Sequence, residues 1–231
     1  MKLLDSVSRR PAGIIKLLAF VYLGVRLTLS VISLLFNRLV VYPTIGLDGT
    51  AVLNLLKSLG ISLLPVCLFL VFIYKNDTIA KHPRLWAVSF GITALQKLYT
   101  VKGSLANTFN SMSHPYGGNY MLRTGMMGLQ LMLTAAMAVI LIMWTVKTAK
   151  GCKDTKKCQI ASFIFVACAV LYMAVSLYFN IDNLLGIRVY PTRATEIVIT
   201  FILSAVSSIA GALPAVVYFI FWTFMPPKGK E

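Results

Sequence analysis

Residues 124–146, TGMMGLQLMLTAAMAVILIMWTV, run for 23 positions without a charge. Apolar stretches of similar length recur along the chain. A hydrocarbon layer about 30 Å thick needs about 20 consecutive apolar residues per helix, so such a pattern reads as membrane-spanning helices. Composition agrees. The chain is 58% hydrophobic and 13% charged, with a mean hydropathy of +0.80. A soluble domain carries about 25% charged residues, and this chain lacks the polar surface to cover itself.

Charges divide the apolar sequence into six candidate spans, roughly 14–37, 55–74, 85–101, 124–146, 159–181 and 197–225. The third is the shortest and carries Gln96 and Lys97; the sixth is long enough to cross with tilt. The expected fold is all-α: a polytopic integral membrane protein, one transmembrane helical domain over 1–231, with six helices as three antiparallel hairpins. The basic lead and apolar run at the N-terminus look like a signal peptide, but no small-residue cleavage site follows. They read as an uncleaved first helix.

There are 22 Lys and Arg against seven acids, for a net charge of +15. In a soluble protein this would suggest nucleic acid. Here the cations sit mostly in short loops between apolar runs, which points to anionic lipid headgroups. If all six segments cross, the N-terminus, 75–84, 147–157 and the C-terminal tail hold about twice as many Lys and Arg as the opposite side. The positive-inside rule then places both termini in the cytoplasm. The expected location is the plasma membrane, or the inner membrane of a bacterium.

Two outer connections share the letters VYPT, at Val41–Thr44 and Val189–Thr192, each after a similar apolar tail, ISLLFN and VSLYFN. Pro43 and Pro191 disfavour helix at Tyr42 and Tyr190 before them. Thr44 and Thr192 suit the start of a following helix, and the tyrosines suit the interfacial aromatic belt. The pair reads as a hairpin turn used twice, a weak internal repeat between hairpins one and three.

Arg26 is the most informative single residue. An arginine near the middle of a span costs about 3 kcal/mol on insertion scales, and such residues usually face the bundle interior. No span contains an Asp or Glu in its interior; Asp48, Asp182 and Glu196 lie at the rim. Arg26 therefore reads either as a site for an anion or a partner's acid, or as a side chain that snorkels or bonds backbone carbonyls and Asn54. Lys57 and Lys97 fall towards the outer ends of spans two and three. They could join Arg26 in an anion- or partner-binding site, or simply reach the headgroups.

Chemistry is otherwise sparse. The only histidines, His82 and His114, belong to loops on opposite faces, and no nucleophile elbow or phosphate-binding glycine loop appears. No catalytic residue, cofactor or metal site is expected. Lipid modification by Ser, Tyr or Arg is the remaining enzymatic alternative. Cys67 and Cys168 lie in spans as small apolar groups, and Cys152 and Cys158 are expected as cytoplasmic thiols. Span six carries Ser204, Ser207, Ser208, Gly211 and Ala212, small residues four apart that allow close helix packing. Pro65 and Pro214 interrupt spans two and six and mark kinks.

Two functions follow from this sequence. The first is a non-enzymatic protein that packs in the membrane against a protein partner or its own copies, as an accessory subunit or an immunity-type protein against a membrane-active toxin. The second is a small transporter or channel for an anionic or lipid-like solute.

Overall fold

A computed structural model describes residues 11–36, 49–74, 83–113, 120–151, 155–185 and 194–225, less the side chains of residues 54, 58, 61, 62, 72, 74, 111–113, 120, 183 and 185. Among the described residues the chain is all-helical: α1 (Pro11–Phe36), α2 (Gly49–Tyr74), α3 (Pro83–Ser113), α4 (Tyr120–Ala149), α5 (Thr155–Leu185) and α6 (Ala194–Phe224). Four of them, α1, α4, α5 and α6, contain stretches long and apolar enough to cross a membrane. A helix of 26 residues, the length of α1, spans about 39 Å at 1.5 Å per residue. Both VYPT turns, Tyr42–Thr44 and Tyr190–Thr192, lie outside the described residues, as does Cys152.

The helix ends follow local chemistry. Pro11 and Pro83 open α1 and α3, where the missing N–H is not needed and the fixed φ suits the first turn. Beyond α4, Gly151 adopts φ 81°, a left-handed conformation that suits glycine. There the Gly151 N–H donates to the Thr148 carbonyl at 3.0 Å. The residues 102–113, expected in the middle outer loop, are helical, and α3 runs twelve residues past the expected span end at 101. The stretch has no proline, and the hydroxyl of Thr108 donates to the Ser104 carbonyl at 2.8 Å. Hydroxyls inside the apolar helices use the same device. Thr134 donates to the Gln130 carbonyl and Thr145 to that of Leu141, which satisfies a donor that lipid cannot.

Each helix packs against its neighbours in sequence, and α1 packs against α6, closing the bundle. The main core brings together Ile15, Ile73, Trp86, Trp144, Cys158 and Trp222. These residues come from the start of α1, α3 and α5 and the end of α2, α4 and α6, so the helices alternate in direction. This end of the bundle, here the Pro11 end, is sealed by rings. Trp86 stacks on Phe221 with centroids 4.8 Å apart, Phe90 on Trp222 at 5.8 Å, and Trp144 meets Phe165 at 5.3 Å. Tyr218 stands between Phe69 at 5.3 Å and Phe90 at 5.6 Å. In lipid the hydrophobic effect does not drive helices together, so this interlocking of rings supplies dispersion and quadrupole terms instead. Towards the Phe36 end the burial thins. Val175, Thr108, Leu59 and Ala51 are the buried residues of that region among those described.

Candidate functional site

Where the aromatic layer stops, charged and polar side chains begin on the same inward faces. Along α1 the buried residues Ile15, Ala19 and Tyr22 recur at helical spacing, and Arg26 takes the next position on that face. Along α3 the buried Trp86, Phe90 and Thr93 are followed in the same way by Lys97. Both cations are therefore turned inward by the periodicity that packs the core.

The guanidinium Nη1 of Arg26 donates to the Ser207 hydroxyl at 2.6 Å, linking α1 to α6. Arg26 also lies within interaction range of the Tyr22 hydroxyl and within Coulombic reach of Lys97. The Lys97 ammonium stands over the ring of Tyr172, 5.9 Å from its centroid, which ties α3 to α5. One layer deeper, the Thr93 hydroxyl donates to the Ser89 carbonyl at 3.0 Å and pairs with the Tyr218 hydroxyl at 3.2 Å. Thr93 has one hydrogen to give, so Tyr218 donates to it.

Donors outnumber acceptors here. Neither Arg26 nor Lys97 has a carboxylate partner among the described residues. The buried Nε of Arg26 and Nε2 of Gln96 have no hydrogen-bond partner among the described residues, and neither has Nδ2 of Asn180, which lies two turns further along α5 beside Asp182. Asp182 and Glu196 lie in the last turns of α5 and the first turn of α6, away from this level. The arrangement can hold negative charge.

The other expected site residues fall as follows. Lys57 is exposed on α2 and does not join Arg26 and Lys97; the side chain of Asn54 lies outside the described residues. Ser207 has its hydroxyl on Arg26, while Ser208 donates back to the Ser204 carbonyl at 2.9 Å. Ala212 is half-buried, and Gly211 is exposed with open space where a Cβ would stand. Pro65 is buried inside α2. Pro214 lies inside α6 and, with Pro65's neighbour Val66, Phe69, Ala19 and Tyr22, borders a small apolar cavity between α1, α2 and α6. Of the cysteines, Cys168 and Cys158 are buried thiols, but Cys67 is exposed on the bundle surface.

Tyr172, Thr93 and Asn180 carry no sequence signal that marks them. A phenol, a hydroxyl and an amide inside apolar helices are common, and only the packing of the helices sets Tyr172 under Lys97 and Thr93 beside Tyr218. Comparison with protein-family models, curated proteins and solved structures gives no match, so the site is read from its own chemistry.

Proposed function

We propose that this chain is a non-enzymatic, multi-pass membrane protein that binds an anionic or lipid-like solute within the bundle and passes it along. One observation carries the reading. Arg26 and Lys97, from two different helices, share the inward side of the bundle with no carboxylate among the described residues to neutralise them. A cation in the membrane interior is expensive and persists where it meets an opposite charge or a wet cavity. With the acid missing, a mobile anion is the partner that fits. Pro65 and Pro214 provide places where α2 and α6 bend, and the aromatic layer closes the Pro11 end in this conformation.

In the same reading all six helices cross the plasma membrane and both termini are cytoplasmic. Arg84, Lys150, Lys156 and Lys157 are exposed at the Pro11 end, where they meet the anionic headgroups of the inner leaflet. Anion flux into proteoliposomes tests the proposal. Wild type should carry flux that Arg26→Ala and Lys97→Ala each reduce at least tenfold. Flux unchanged by Arg26→Ala would remove that residue from the route, and no flux with any anion would end the transport reading.

A second reading keeps an intramembrane protein partner, as for an accessory subunit or an immunity-type protein. Exposed Gly211, with Ile202, Val206 and Ile209 exposed on the same helix, leaves room on α6 for another helix to approach. Purification in mild detergent under producing conditions decides it: a stoichiometric partner or a homo-oligomer supports it, and a lone monomer does not.

A further inference from the structure

Resting on the anion-binding reading above, we propose that the site takes an oxyanion with two negative charges, of the sulfate, hydrogen phosphate or phosphomonoester class, in preference to a halide or a singly charged ion. The charge balance is the first reason. Arg26 and Lys97 lie within Coulombic reach of each other, and both face a layer where uncompensated charge is costly. A singly charged ion leaves one positive charge over; a dianion neutralises both.

Donor geometry is the second reason. Arg26 has committed Nη1 to Ser207, and its Nε is buried without a partner among the described residues. The Nε side of a guanidinium presents two parallel N–H groups, a fork matched to two oxygens of one oxyanion. Ser207 holds the fork in place, and the ring of Tyr172 holds the Lys97 ammonium inward. Gln96, next to Lys97 on α3, adds a buried amide donor without a partner among the described residues. A tetrahedral oxyanion spreads acceptors over several directions and can engage donors from more than one helix. A halide offers no two-point match.

The test uses the full chain in phosphatidylcholine nanodiscs. Thermal protection and calorimetric binding are measured with chloride, nitrate and sulfate at matched ionic strength, and with hydrogen phosphate at pH 8. Sulfate and phosphate should protect at concentrations at least tenfold below chloride and nitrate. Lys97→Met should abolish that preference, so that sulfate protects no better than chloride. Arg26→Lys keeps the charge but loses the fork, and should weaken sulfate at least tenfold. A parallel arm adds phosphatidic acid to the nanodiscs. Protection by the soluble ions assigns a free solute, and protection by the lipid alone, lost in Arg26→Lys, assigns a lipid phosphomonoester; either supports the proposal. Chloride and sulfate binding equally to wild type would overturn it while leaving the anion reading intact. No protection by any anion or lipid would overturn both, and the wild-type series decides this even if a variant fails to fold.

Discussion

The Nη1 of Arg26 donates to the hydroxyl of Ser207 across 2.6 Å, joining the first helix to the last over 181 residues of chain. The bond is made by a charge inside apolar helices. It closes the bundle between α1 and α6 on the side where the aromatic layer ends. The guanidinium is thereby held in one orientation by its neighbour on α6.

The Arg26–Ser207 pair should behave as a coupled unit. Ser207→Ala leaves a part-buried guanidinium N–H unpaired, at a cost of about 1 kcal/mol. Arg26→Leu removes both the donor and the buried charge, so adding Ser207→Ala to it should cost much less. A double-mutant cycle by reversible unfolding in detergent should give a coupling of about 1 kcal/mol. Additive effects would mean that the bond does not form in the membrane protein.

The Thr93–Tyr218 bond predicts an asymmetry. In Tyr218→Phe, Thr93 still donates to the Ser89 carbonyl, and the loss should stay near the roughly 0.6 kcal/mol typical of side-chain bonds in membranes. In Thr93→Val the hydroxyl of Tyr218, a residue 3% exposed, loses its acceptor, and the cost should be about twice as large or more. Equal melting temperatures for the two variants would contradict the assigned donor direction.

Tyr172 should hold Lys97 through its ring and not its hydroxyl. Tyr172→Phe should therefore retain anion affinity and stability, because a phenyl face still attracts an ammonium. Tyr172→Leu should lose the cation–π contribution, about 1 kcal/mol, and weaken anion binding roughly fivefold. Calorimetry on the two variants separates them; equal affinities would show that the ring does not position the ammonium.

The sealing layer makes a packing prediction. Trp222 is fully buried and touches Phe90 and Trp144 at centroid distances of 5.8 and 5.6 Å. Trp222→Ala should destabilise by about 3–5 kcal/mol through the cavity it leaves. Trp222→Phe should cost far less, since the indole N–H it removes has no partner among the described residues. If Trp222→Ala unfolds at the wild-type temperature, the rings do not interlock as described.

Much of the fold was legible along the chain. Continuous apolar runs bounded by Lys and Arg required helices of membrane length, because backbone groups in lipid must be satisfied within the segment. Residues 102–113 ran against that reading, since their Gly, Ser, Asn and Thr look like a loop by hydropathy and propensity alike, yet they continue α3 without a proline to stop it. Of the site, Arg26 was conspicuous as a charge in an apolar run, and Lys97 stood out in the same way. Lys57 looked equivalent to Lys97 by position in its span, yet it is exposed and Lys97 is half-buried; helix rotation about its own axis separates the two.

The sequence by itself determined the membrane character, the helical class and the oddity of Arg26, since each depends on the hydropathy and spacing of residues near one another in the chain. Tertiary structure alone decided what Arg26 touches. Ser207 looked like one member of a small-residue packing stripe, and nothing local distinguishes it from Ser204 or Ser208. The pairing depends on how α1 and α6 are rotated and offset against each other, and that is set by the rings at the Pro11 end, where all six helices meet. The same rotation brings Lys97 over Tyr172 and leaves the amide donor of Gln96 without a partner among the described residues. The excess of positive charge and unpaired donors is a property of the assembled bundle, because it arises only when the faces of α1, α3, α5 and α6 come together.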